Sequence, residues 1–146
     1  MRDQAIENSE SRPEMASNLE KSEVVIARIL KLLMDRGLQD SMMTFGSLEL
    51  SDDYEPFFKT SFVWLMHEGF IRATSNSEFV NSAFHGYGPV LTAKGFAMLG
   101  NKLELNGEQI TIASAVEETS KSGVSASGLG DFFGGLLGGF TKSISS

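Results

Sequence analysis

The stretch Trp64-Leu65-Met66-His67-Glu68-Gly69-Phe70-Ile71-Arg72, answered further on by Leu91-Thr92-Ala93-Lys94-Gly95-Phe96, decides how this chain folds. Its first half runs off the end of an apolar helical face, on which Phe58, Phe62, Leu65 and Met66 share one side, and Gly69 stops the helix. Phe70 to Thr74 then has strand composition, with Val90-Leu91 as its returning partner. Thr92 is placed to cap a further helix carrying Phe96, Leu99 and Leu103, although Gly95 and Gly100 cost it about 1 kcal/mol each relative to alanine.

Toward the N-terminus the clearest element is a helix over residues 18–36. Ser17 and Glu20 stand at capping-box spacing, and Val25, Ile29, Leu32, Leu33 and Arg36 follow at helical intervals. Lys21, Arg28 and Lys31 turn outward, and Gly37 suits the C-cap. Between Gly37 and Ser51 the pattern is weaker, with Met42, Met43, Phe45, Leu48 and Leu50 fitting a short helix or an irregular apolar segment. Ser51-Asp52-Asp53 reads as a helix start, and Pro56 belongs in a first turn, so the spacing predicts the next helix over 56–68.

Between the two strands, Ser75 to Pro89 reads as a long hairpin tip. Beyond the capped helix, Asn106-Gly107 fits a turn between Leu103–Leu105 and Ile110–Ile112, or else Gly107 ends one helix and 108–121 form another. Ala113 and Val116 favour the helix.

This order of elements resembles a winged-helix domain. The resemblance covers residues 20–104 and is carried by Leu65-Met66-His67-Glu68-Gly69-Phe70-Ile71 and by Leu91-Thr92-Ala93-Lys94-Gly95, which are similar to the matching stretch of many bacterial winged-helix regulators. It implies a fold that is α+β, mainly α: a winged helix-turn-helix with a small β-hairpin wing. It also implies a DNA-binding surface made from the third helix and the wing, with phosphate contacts from basic side chains.

The residues depart from that surface. With Phe58, Phe62 and Leu65 inward, the outward positions are Lys59, Thr60, Val63, Trp64 and His67, of which only Lys59 is a firm cation. No Lys or Arg occurs from Ala73 to Ala93, and residues 51–74 carry a net charge of −2. Phosphate contacts would fall to Arg28, Lys31 and Arg36 on the first helix. The wing is instead aromatic: Phe79, Val80, Phe84, His85 and Tyr87 either fold back onto the core or form a protein-contact or base-stacking surface.

Composition sets the outer limits. The chain of 146 residues is 41% hydrophobic and 21% charged, enough for one modest domain with tails. Its net charge of −7 disfavours nonspecific binding to phosphate, and the lack of cysteine removes disulfides, zinc–thiolate sites and a thiol nucleophile. Met1 to Glu7 lack the apolar run of a secretion signal, which points to the cytoplasm. His67 and His85 have no companion ligands at metal-binding spacing. No nucleophile–base pair, phosphate loop or dinucleotide fingerprint is present, so neither enzyme activity nor cofactor nor small-molecule ligand is expected.

Three zones result: a polar arm at 1–16, the folded domain at 17–122, and a Gly/Ser-rich tail at 123–146. The tail holds the most unusual pattern. Leu129, Phe132, Phe133, Leu136, Leu137, Phe140 and Ile144 fall on one helical stripe, and glycines recur at 130, 134 and 138 as in a glycine zipper. Its glycines cost a helix roughly 5–6 kcal/mol, so it is not helical alone in water. Burying five or six large side chains, at about 1.5–3 kcal/mol each, offsets that cost against a suitable surface. The surface is the chain's own winged domain, a second copy, a protein partner or, through residues 128–144, a membrane interface. The residues therefore favour a noncatalytic protein that works by protein contact and assembly. The alternatives are a DNA-binding regulator and a small membrane-acting effector.

Overall fold

The computed structural model describes residues 17–77, 84–105 and 107–122. The expected arm, the apolar tail stripe, Phe79 and Val80 lie outside these residues.

Among the described residues the chain is mainly helical, with small antiparallel strand pairs. Helix α1 (Asn18–Arg36) starts where the capping box predicts: Glu20 N–H donates to Ser17 Oγ at 3.1 Å, and Ser17 N–H donates to Glu20 Oε1 at 2.9 Å. The weak segment that follows holds strand β1 (Met42–Met43) and the single-turn helix α2 (Phe45–Leu48). A 3-10 turn (Asp52–Phe57) then leads into α3 (Phe58–His67). The expected α-helix over 56–68 is thus shorter at its N-terminal end. Pro56 sits inside the 3-10 turn, whose tighter winding precedes the first regular α turn.

An antiparallel hairpin follows Gly69, as the strand composition predicts. Strand β2 (Ile71–Arg72) pairs with β5 (Val90–Leu91), Ile71 opposite Leu91. Farther out, β3 (Ser75–Ser77) pairs with β4 (His85–Tyr87), and β1 joins the other edge of β4 with Met42 opposite Tyr87. Helix α4 (Ala93–Gly100) comes next, then the hairpin β6 (Lys102–Leu105) and β7 (Glu108–Thr111), and α5 (Ile112–Ser122) closes the described chain.

Two sequence expectations fail here. Leu103 is not on α4, which ends at Gly100; it pairs with Ile110 in the hairpin. Nor do residues 108–111 belong to the last helix. Gly107, with a φ of 81°, lies in the turn between β6 and β7, and the helix waits for Thr111, whose Oγ1 accepts from Ser114 N–H at 3.1 Å as a cap.

The core gathers around α1. Val25, Ile29, Leu30 and Leu33 are fully buried against Phe62 and Leu65 of α3, Ile71 and Leu91 of the inner hairpin, and Ile112 and Val116 of α5. Phe58, Phe62 and Phe84 form an edge-to-face cluster with ring centroids 5.3–6.0 Å apart. Strand β4 lies flush on this cluster because residue 86 is a glycine: a Cβ there would overlap the Phe62 ring.

The motif that decides the fold acts as a staple between α3 and α4. Thr92 Oγ1 accepts from Gly95 N–H at 2.9 Å, capping α4, and its hydroxyl donates to Gly69 O just beyond the end of α3. Lys94 Nζ donates to Glu68 O at 2.8 Å and stands 5.3 Å from the centroid of the Phe70 ring. Gly95 lies so close to the Phe70 carbonyl that any Cβ would overlap its oxygen, whereas nothing surrounds Gly100 within 4 Å. Gly95→Ala should therefore cost about 1–3 kcal/mol in urea unfolding, despite alanine's better helix propensity. Gly100→Ala, in open space on the same helix, should be neutral or stabilising by up to about 1 kcal/mol.

Candidate functional site

Helix α3 presents Lys59, Thr60 and His67 to solvent, while Val63 and Trp64 are half-buried against the core. Trp64 packs beside Phe70 with ring centroids 6.3 Å apart, so one side of its indole belongs to the α3–α4 staple. Acidic side chains frame this surface. Asp52, Asp53 and Glu55 stand exposed on the turn before α3, and half-buried Glu68 follows its end.

The aromatic hairpin residues divide according to strand alternation. Phe84 is not a contact residue: it is 6% exposed and packs its ring edge-to-face on Phe58 and Phe62. Gly86 turns to the same inner side. His85 and Tyr87 stack on the opposite side, 6.1 Å apart and inclined by 15°. His85 Nδ1 is buried there and has no hydrogen-bond partner among the described residues.

The cations read as phosphate contacts on α1 are held within the chain. Arg28 bridges two elements: its Nε and Nη2 donate to Ser120 O at 3.1 and 2.8 Å, and its Nη1 donates to Leu48 O. This fork satisfies carbonyls in the last turn of α5 and at the end of α2, a task for planar guanidinium geometry. Lys31 Nζ donates to both carboxylate oxygens of Asp35 at 2.8 Å and lies 3.3 Å from Glu117 Oε2. The Asp35 hydrogen bond raises the Lys31 ammonium above its ordinary pKa, lost hydration opposes this, and Glu117 adds to the rise. Arg36 Nη1 donates to Ser41 Oγ at 3.0 Å and to Met42 O at 3.2 Å. Arg28, Lys31 and Arg36 are thus all hydrogen-bonded within the chain.

A groove opens between the N-terminal half of α1 and the start of α3. Leu19, Ser22, Glu23 and Ile26 line one wall and Thr60, Ser61 and Trp64 the other, enclosing about 210 Å³. Thr60 and Trp64 were legible as outward residues of α3. Leu19, Ser22, Glu23, Ile26 and Ser61 were not, although Leu19, Glu23 and Ile26 follow at helical intervals of four and three residues. Leu19 is 55% exposed on the rim and Ile26 is buried. A cavity of roughly 150 Å³ accepts a benzene ring, so this one admits an aromatic side chain, with three hydroxyls beside it for polar contacts. A second hollow of about 360 Å³ lies over Ser114, Glu117, Glu118, Lys121 and Ser122 on the polar face of α5.

Among the described residues no helix is long and apolar enough to cross a membrane. No group of three or more His, Asp or Glu side chains among them is arranged to hold a metal ion. Comparison with protein families, with curated proteins and with solved structures finds no match to this chain.

The Arg28 fork makes a clear stability prediction. Arg28→Met should lower unfolding free energy by about 2–4 kcal/mol, because buried carbonyls on two elements lose their donor. Arg28→Lys should restore only part of that loss in the same denaturation measurement, since an ammonium cannot reproduce the planar fork.

Proposed function

We propose that this is a noncatalytic winged-helix protein that acts by binding other protein surfaces, with the C-terminal apolar stripe driving assembly. The order α1, β1, α2, α3 and then an antiparallel hairpin whose returning strand pairs with β1 supports the winged-helix reading. In that reading α3 takes the place of the recognition helix and β3–β4 the wing.

The observation that carries the functional reading is the fate of the cations. A duplex reader of this shape needs Lys and Arg on α3, on the wing or on α1. Here Arg28, Lys31 and Arg36 are committed to Ser120, Leu48, Asp35, Glu117, Ser41 and Met42. The surface beside α3 is acidic at both ends and offers an apolar groove instead. A site that combines one aromatic-sized cleft with flanking hydroxyls suits a protein side chain anchored among backbone contacts.

Two measurements test the proposal. Titration of duplex DNA over a salt series should give no retention, even at the lowest ionic strength. Measurable binding that weakens steeply with salt would instead favour the DNA-binding regulator. In light scattering, the full chain should show more than one chain's mass, and Phe132→Ser/Phe133→Ser should return it to the single-chain value. Equal masses would remove the stripe from assembly.

A further inference from the structure

The last described helix ends beside the α1–α3 groove. Helix α5 is antiparallel to α1: Glu117 meets Lys31, and Ser120, farther along α5, meets Arg28, farther back along α1. Ser122 therefore stands alongside the N-terminal half of α1, the half that bears Leu19, Ser22, Glu23 and Ile26.

Two lengths decide what fills the groove. At about 100° per residue, Arg28 and Lys31 lie roughly 160° around α1 from the groove residues, so a chain leaving α5 passes round half of the helix. Half the circumference of a helix about 10–12 Å across is about 16–19 Å. Ten residues, rich in Gly and Ser, lead from Ser122 to Phe132. Drawn straight they span about 33–36 Å, well beyond what the path needs. Relaxed, a chain of that length and composition has an r.m.s. end-to-end distance of about 16–19 Å. A tether whose relaxed length equals its span gives the highest effective concentration a linker can supply, in the millimolar range. A second copy at micromolar concentration competes for the same cleft at a disadvantage of about a thousandfold.

The cleft also limits how much of the stripe it takes. A volume of about 210 Å³ admits one aromatic ring, whereas the stripe runs on through Leu136, Leu137, Phe140 and Ile144. From these lengths and volumes we infer that the chain's own Phe132-Phe133 segment occupies the groove, one ring seated among Trp64, Leu19 and Ile26, so that the tail closes the binding cleft of its own domain. Residues 136–144 lie beyond the seat and are the part of the stripe that assembles. A side chain from an outside partner must displace the tail, so partner binding and tail release form one equilibrium. The inference rests on the reading that groove and stripe are contact elements, and it adds how one governs the other.

Trp64 is the single tryptophan of the chain, so its emission and its quenching by acrylamide report on this groove. Three full-length proteins are compared, with light scattering giving the mass of each: the parent, the tail variant Phe132→Ser/Phe133→Ser, and the rim variant Leu19→Asp, which alters an exposed position. Both variants should shift Trp64 emission to the red and raise its quenching, with far-UV circular dichroism unchanged. The parent's emission should stay constant on dilution, through and below the concentration at which its mass falls to a single chain. A peptide of residues 127–135 should restore the parent emission to the tail variant. It should bind the parent at least about tenfold more weakly, the factor by which a groove about nine-tenths closed weakens an outside ligand. Emission that moves to the red as the parent's mass falls puts a second copy in the groove and overturns the inference, while the contact reading stands. Equal peptide affinity for parent and tail variant overturns it as well. If parent and tail variant share one emission, the groove is not the seat; the assembly reading then survives where the tail variant still loses mass, and fails with it where the masses agree.

Discussion

The contact between Gly95 and the Phe70 carbonyl fixes the rest of the domain. Helix α4 can start only where a residue without a side chain passes over that oxygen. Thr92 and Lys94 then secure the approach by bonding to Gly69 O and Glu68 O, the chain's exit from α3. Because Phe70 also carries Lys94 on its ring and Trp64 beside it, the staple sets the attitude of α3. The groove wall formed by Thr60, Ser61 and Trp64 inherits that attitude. The motif that decides the fold is a joint between helices.

Much of this was legible because it is local. Ser17 and Glu20 announce α1, Gly69 ends the chain segment of α3, and Thr92 caps α4 through bonds spanning three residues. What stayed hidden depends on distant partners. Arg28 looks like a solvent-facing cation by periodicity, and only the packing of α5 brings Ser120 O to it across 92 residues of sequence. Ile110 and Ile112 fit a strand and a helix equally well, and the choice falls to the hydroxyl of Thr111. Phe84 reads as core or surface alike in the sequence, and the glycine at 86 decides it by letting the strand lie against Phe62. The candidate site divides in the same way: α3 supplied its outward residues openly, while the α1 wall emerged only from the approach of two helices.

The electrostatics follow from the same economy. An acidic chain with twelve basic side chains has few to spare, and this one places Arg28, Lys31, Arg36 and Lys94 where the fold needs donors. Carbonyls at helix ends would otherwise be left unsatisfied as α2 and α5 close over α1. Beside the cleft the turn before α3 exposes Asp52, Asp53 and Glu55, while Leu38, Met42 and Phe96 stand exposed elsewhere on the surface.

Arg28 has one mechanical consequence. Its guanidinium ties the last turn of α5 to the middle of α1 and, through Leu48, to α2. Traction applied beyond Ser122 reaches this rivet before it reaches any apolar layer, and the pull is shared across three helices at once. The C-terminal turn of α5 is thus tied to α1 and to α2 by one and the same side chain.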